Sequence, residues 1–452
     1  MPDQRPTLSI HSLAAGGDGV AVLPDGRTVF VPHSAPGDHV ELRLTEEHQR
    51  YARAEVTRIV TAGPGRVEAP CPVAGRCGGC AWQHLDAPAQ AQAKQGFIRE
   101  ALRRIGGFAE PPLDAFLASD RPYGYRNKGQ LPVANNADGS LRLGYYKEGS
   151  HSVVALPEEG CRLLEPAVNK ALCHVRGQLA LAKLQAYDQR NGTGNLRHVM
   201  VRANTKGEAM VVLVTHAPMD QHSMTIAAGW VGKAGIVSVQ ANVQSKTGNV
   251  ILGPETAVLA GPETLVERLD GVAFRLSATS FFQVNPSQTL RLLGTLKALR
   301  PWGPADQVLE LYCGVGTLSL PLGKLGLRLH GVENHPAAVQ DARANAAANV
   351  LPKLSFSVAD AASAFQGLPA GFKPGVVLMD PPRKGLDKAV VEAILASGVA
   401  ELVYVSCDPA SLARDLKALA AGGFSLEKTA GIDLFPQTAH VESVSWLKRA
   451  KA

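Results

Sequence analysis

The chain has 452 residues, 45% of them hydrophobic and 19% charged, with 46 basic against 40 acidic side chains and a formal net charge of +6. This composition excludes a disordered or fibrous protein, no apolar run approaches a membrane span, and the length predicts two or three domains. The mild positive balance permits a polyanionic partner without demanding one.

The start, MPDQRPTLSI, lacks the basic-then-apolar pattern of a secretory leader, so a cytoplasmic protein with reduced thiols is expected. Residues 1–66 alternate apolar and polar, with turn signals at GGDG (16–19), PDG (24–26) and PGD (36–38), and predict a small β-barrel. CPVAGRCGGC (71–80) follows. Seven cysteines in such a chain argue for metal or catalytic use rather than a disulfide framework. A helix is predicted from about Pro88 to Arg104, and the stretch 88–118 is expected to be helical and to pack on a catalytic domain.

Residues 67–275 form the predicted central domain, read mostly as strands at LRLGYY, RHVMVRA, AMVVLVTHA and GIVSVQAN. From 276 to 452 the rhythm changes. Strand-like runs QVLELY, LRLHGVE, KLSFSVAD, PGVVLMD and ELVYVS alternate with helical stretches, one of them 335–349 with Asn334 as N-cap and Pro336 in its first turn. Such alternation predicts a parallel, doubly wound sheet whose ligands sit beyond the carboxyl ends of its strands. The expected fold is therefore multidomain α/β: an N-terminal β-barrel, a β-rich centre and a Rossmann-like C-terminal domain.

Three strand ends agree on a nucleotide-type ligand. Gly314-Val315-Gly316 lets backbone approach a ligand closely, with a helix start beyond it. Glu333 ends the next strand, where an acidic residue accepts ribose hydroxyls, and Asp360 ends the one after, where adenine contacts lie. The absence of a third glycine favours S-adenosylmethionine over NAD. A fourth strand end, DPPRKGL (380–386), stiffens the backbone behind Asp380.

VYVSCDPASLARD (403–415) places Cys407 at a strand end just before a helix start, a position that favours thiolate. Carbon 5 of uracil is a poor nucleophile until a thiolate adds at carbon 6, so methylating it requires a cysteine. The carbon 5 proton must then leave, which needs a base, and Glu442 in the apolar run AHVESVSWLKR is the candidate.

The ordered set SFFQVN (280–285), ELYCGVGT (310–317), GVEN (331–334), DPPRKGL, VSCDPASLARD and HVESV (440–444) resembles the uridine-5 RNA methyltransferases of the TrmA, RlmC and RlmD group over nearly the whole chain. The resemblance implies Cys407 as nucleophile and Glu442 as proton acceptor. It implies that Gln283, Tyr312, Thr317, Glu333, Asp360 and Asp380 line the S-adenosylmethionine and uracil pocket, with Thr317 standing where some relatives carry Asn. Phe281 and Phe282 either stack on a base or pack.

Three cysteines, Cys71, Cys77 and Cys80, are one short of a four-thiolate site, and Cys161 is expected to supply the fourth. Four thiolates suit zinc almost as well as a cubane. The spacing resembles the family's iron–sulfur element, which implies a structural 4Fe–4S cluster, with Cys173 and Cys313 ordinary buried residues. The N-terminal barrel resembles a TRAM domain. RPYGYRNKGQ (121–130) is either an RNA contact, with Arg121, Arg126 and Lys128 on phosphates and Tyr123 and Tyr125 on bases, or a solvated turn with packed tyrosines. The resemblance implies a cytoplasmic, monomeric enzyme acting on 23S ribosomal RNA. A tRNA uridine-5 methyltransferase and a non-catalytic iron–sulfur RNA-binding factor are the alternatives.

Overall fold

A computed structural model describes residues 6–450, so the first five residues of the expected barrel lie outside the described residues. The chain forms two compact units. One comprises residues 6–122, 382–386 and 405–450, and the other Tyr123–Pro381 and Asp387–Tyr404.

In the first unit, six strands from Thr7–Ser9 to Tyr51–Thr61 form one sheet. All its pairings are antiparallel except Thr28–Val31 with Tyr51–Thr61. Alternation turns Val29, Val31, Val40, Leu42 and Ala52 inward onto a core that also holds Ile10 and Ala21. The cysteine-bearing segment has no regular structure and leads into the helix Ala87–Arg104, capped by Asp86, which accepts from the Ala89 amide at 2.8 Å. The helix ends there. Residues 113–117, expected to continue it, are instead a strand that pairs in parallel with Phe424–Ile432. Phe424–Ile432 pairs antiparallel with Glu442–Arg449, and the helix Pro409–Ala421 packs against Ala87–Arg104.

In the second unit a seven-stranded sheet runs, edge to edge, through Val153–Ala155, Leu141–Tyr146, Lys128–Asn135, Leu196–Ala203, Ala209–Thr215, Ile236–Val243 and Glu255–Ala260. The region also holds two helices that a strand-dominated reading passes over, Pro166–Gln178 and Gln221–Ala228. Val168, Ala171, Leu172 and Val175 recur at helical spacing and are buried on that sheet. Beyond it, five parallel strands lie in the order Leu354–Val358, Arg328–Glu333, Gln307–Leu311, Val376–Met379, Glu401–Ser406. Their interiors are almost wholly buried, as expected of strands covered on both faces. The helix Pro336–Ala348 starts one residue later than predicted. His335 occupies the N-cap without a side-chain bond and Asn334 is solvent-exposed.

Candidate active site

The carboxyl ends of the strands Gln307–Leu311, Arg328–Glu333 and Val376–Met379 bring three carboxylates into mutual influence. Glu310 is buried, and burial together with the charges of Asp380 and Glu333 pushes its pKa up to about 8. The Ser319 hydroxyl donates to it. Burial likewise raises Asp380 to about 7. Glu333 accepts from the Gly314 amide through one oxygen (3.2 Å) and from the His335 amide through the other (2.9 Å). It therefore anchors the glycine turn to its neighbouring strand, and each carboxylate oxygen keeps a lone pair for a ligand hydroxyl.

The turn itself needs left-handed backbone at Tyr312, Gly314 and Gly316. At Gly316 a Cβ would stand 2.1 Å from Leu320, so only glycine lets the chain close there. The helix expected beyond it is a five-residue segment, Ser319–Gly323. Thr317 is half-buried on the turn, Asp360 is exposed and caps Ala361–Ser363 through the Ala362 amide, and Gln283 is buried. Glu310 was missed in the sequence. The signal for it was a carboxylate inside the apolar run VLEL, where an unneeded charge is costly.

In the first unit, Cys407 is half-buried between the strand Glu401–Ser406 and the helix Pro409–Ala421. Asp408 caps that helix by accepting from the Ser411 amide (2.7 Å), and its own amide donates to the Ser406 hydroxyl (3.2 Å). Glu442 opens its strand and is 2% exposed, so its carboxylate does not face water. The Ser443 hydroxyl donates to the Ser406 carbonyl at 3.3 Å, tying the neighbour of Glu442 to the neighbour of Cys407.

Residues 382–386 are held to the same helix. The Leu386 amide donates to Asp415 (2.8 Å) and Arg414 to the Lys384 carbonyl (2.7 Å). Arg383 lies 3.3 Å from Nε2 of His440. A cavity of about 930 Å³ opens onto Cys407, Pro409 and His440, walled by His11 and Leu13 of the N-terminal sheet and by Phe97 and Arg104 of the helix.

The two phenylalanines divide. Phe282 is buried 5.1 Å from Phe274, whereas Phe281 is 67% exposed. In RPYGYRNKGQ, Tyr125 is 1% exposed and is a core residue, not a stacking platform. Arg121 is exposed and Tyr123 and Arg126 are half-buried. Burial and the neighbouring Arg202 and Arg126 bring Lys128 down to about 7, so its charge is only half developed at neutral pH.

All seven cysteines are free thiols. Cys71, Cys77, Cys80 and Cys161 are half-buried, and burial, with Cys71 nearby, raises the Cys77 thiol. The donor chemistry suits a metal cluster, but among the described residues no three His, Cys, Asp or Glu side chains converge as a metal site. Cys313 is buried as expected. Cys173 is exposed, on the solvent side of its helix.

The tRNA (Uracil-5-)-methyltransferase family model matches residues 182–450, and a TRAM domain model matches residues 4–57. The chain belongs to the tRNA (Uracil-5-)-methyltransferase family. It is 41% identical over 450 residues to an uncharacterized RNA methyltransferase of Gloeobacter violaceus, covering 99% of this chain and 97% of that protein. A similarly described protein of Halalkalibacterium halodurans is 36% identical over 445 residues, covering 98% and 96%. Among solved structures, the Pyrococcus abyssi tRNA (uracil-54, C5)-methyltransferase in complex with S-adenosyl-L-homocysteine matches 98% of this chain and 100% of its own, with a TM-score of 0.77 and 27% identity. For this family member no helix among the described residues is long and apolar enough to cross a membrane.

Proposed function

We propose that the protein transfers a methyl group from S-adenosylmethionine to carbon 5 of a uridine in RNA, with Cys407 as nucleophile and Glu442 as base. The observation that carries this reading is the Ser443–Ser406 bond, which fixes the strand opening with a buried carboxylate to the strand ending at a half-exposed thiol. The Cys407 thiolate adds to carbon 6, and the ring becomes an enolate whose carbon 5 attacks the methyl group. The bond from methyl to sulfonium breaks and S-adenosylhomocysteine leaves. Glu442 then takes the carbon 5 proton, the electrons re-form the ring double bond, and the carbon–sulfur bond breaks to restore the thiolate. The target base must leave its stack, which costs least where the RNA is already looped.

Gln283, Tyr312, Thr317, Glu333, Asp360 and Asp380 are assigned to the methyl donor and the uracil. Mutual repulsion in the acidic nest of Glu310, Glu333 and Asp380 suits a cationic sulfonium. Residues 1–66 are assigned to RNA binding, residues 67–275 to the cysteine cluster and further RNA contacts, and residues 276–452 to methyl transfer. The assigned setting is a cytoplasmic monomer.

Ribosomal 23S RNA is the substrate this reading favours, on the pairing of a TRAM domain with four cluster-type cysteines. The tRNA reading has its own support in the tRNA substrate named for the Pyrococcus abyssi protein. Incubation with methyl-labelled donor and fractionated RNA separates them, because label enters either the 23S or the tRNA fraction. RNA binding without incorporation would instead favour the non-catalytic factor. Replacing Cys407 by Ala should abolish a denaturant-resistant protein–RNA adduct, and Glu442→Gln should make it accumulate.

A 4Fe–4S cluster on Cys71, Cys77, Cys80 and Cys161 is part of this reading, with a structural role. It would have to draw the thiols together as it assembles. Iron and acid-labile sulfide measured per chain, with Cys77→Ser as control, test it.

A further inference from the structure

The buried stripe of the helix Ala87–Arg104 is made of Gln90, Lys94, Ile98 and Leu102, spaced four residues apart. Two of these four are polar, which an apolar helix–helix seam does not require. Both polar residues reach the same target. This is the loop joining Phe424–Ile432 to Glu442–Arg449, residues 433–441.

Loops normally run over the surface because their backbone groups need water. Here Asp433, Leu434, Gln437, Thr438, Ala439 and Val441 are all buried. Lys94 donates to Asp433 at 2.5 Å and to the Phe435 carbonyl at 3.0 Å. The side chains of Gln90 and Gln437 are joined, Nε2 of Gln90 donating to Oε1 of Gln437 (3.1 Å). Oε1 of Gln90 accepts from the Gln437 amide (2.9 Å). Nε2 of Gln90 also reaches the carbonyls of Trp82 and Leu85, and the Trp82 amide donates to the Gln437 carbonyl at 3.1 Å. Gln437 thus has its amide, its carbonyl and its side chain all engaged, at a φ of +68° that side-chain-bearing residues seldom adopt.

We infer that Gln90, with Lys94, is a positioning residue for the proton-abstraction step: it clamps the loop that delivers Glu442. The inference rests on the reading of Glu442 as base. Glu442 stands at the very end of its strand, where fraying is greatest, and the loop before it is held at Asp433, Phe435 and Gln437 by partners 339, 341 and 347 positions away in the chain. Cys407 is flanked by bonds of its own around Asp408 and meets the Glu442 strand through Ser443 and Ser406, on the far side of Glu442 from the clamped loop, so loosening the clamp should reach the base more than the nucleophile.

The test measures two steps in full-length protein: formation of the denaturant-resistant Cys407–RNA adduct, and its decay to free product. In Gln90→Leu the adduct should form within about threefold of the wild-type rate and decay about tenfold more slowly, so that it accumulates. Gln437→Gly keeps the left-handed backbone and loses the side-chain bond. It should show the same imbalance and serves as the second variant if Gln90→Leu does not fold. Equal loss of both steps, or no change in either, would overturn the inference. The Glu442→Gln variant keeps the two readings apart: if it fails to trap adduct, the base assignment falls, whereas if it traps adduct and both clamp variants behave as wild type, only the clamp falls.

Discussion

The acidic nest makes the affinity for the methyl donor depend on pH in a way that can be worked out. Asp380 has a pKa of about 7 without a ligand, against an ordinary 3.8, because burial penalises its charge. A sulfonium beside it stabilises the ionised form. If binding requires that form, the apparent dissociation constant is multiplied by one plus ten to the power of pKa minus pH. The multiplier is roughly 1.1 at pH 8, about 2 at pH 7 and about 11 at pH 6, so affinity falls about tenfold, or ~1.4 kcal/mol, between pH 8 and pH 6. The sign is set by the direction of the shift. Protonation neutralises the nest, so acid weakens the binding of a cation. Glu310, raised to about 8, carries the rise further above neutrality. Titration calorimetry of S-adenosylmethionine across this range should show the slope, and S-adenosylhomocysteine, which lacks the sulfonium charge, should show much less. Asp380→Asn should bind more weakly and lose most of the slope between pH 6 and 7. Equal slopes for the two ligands, or an undiminished slope in Asp380→Asn, would refute the argument that the nest reads the sulfonium.

The same shift makes Asp380 contribute stability that is lost as pH rises from about 4 through 7, because the folded form holds a proton there that the unfolded chain releases; His84 and His198, lowered to about 4 by burial, pull the other way, so the check is the wild-type melting temperature minus that of Asp380→Asn, which should shrink from pH 5 to pH 7.5. Phe281→Ala should leave the melting temperature nearly unchanged yet weaken RNA methylation, by up to ~1–3 kcal/mol if the exposed ring stacks on a base; Phe282→Ala should cost ~3–5 kcal/mol of stability. Gly385→Ala should destabilise by about 1–3 kcal/mol, because φ is +76° and a Cβ would stand 2.4 Å from the Asp415 carboxylate; denaturant melts measure it.

What was legible in the chain follows from which forces are local. The parallel strands were readable because a strand covered on both faces must be a continuous apolar run, and ELVYVS was bounded to the residue. Cys407 and Glu442 stand out in the sequence, as proposals, because reactive groups at or inside apolar runs are costly. Tyr125 stayed open between stacking and packing because burial of an aromatic ring depends on what packs over it, and nothing within RPYGYRNKGQ encodes that. Asn334 lost the cap because the helix begins at Pro336: with Asn334 as N-cap the proline would sit at N2, where it has no amide hydrogen for a capping side chain to accept. The joining of residues 382–386 and 405–450 to the N-terminal residues in one unit was illegible for the same reason: its bonds span hundreds of positions.

That last feature decides whether the C-terminal part of the chain can work alone. A fragment of residues 123–452 contains every residue proposed for catalysis and for the methyl donor and lacks Trp82, Gln90 and Lys94. Asp433 and Gln437 would then lose the partners that satisfy them while Leu434, Ala439 and Val441 lost their cover. Each buried polar group left unpaired costs ~1–3 kcal/mol and a broken buried ion pair ~3–5 kcal/mol, against a total stability on the order of 5–15 kcal/mol. Burial already works against both partners of that pair, lowering the pKa of Lys94 and raising that of Asp433, so neither keeps its charge cheaply once the other is gone. The loop must open to water, and Glu442 moves with it. The fragment should therefore bind S-adenosylmethionine through the second unit but make no methylated RNA, and residues 1–122 supplied as a separate chain should restore turnover. Full methylation by the fragment alone would show that the loop holds its shape without the helix, and that the long-range clamp is packing without consequence for the base.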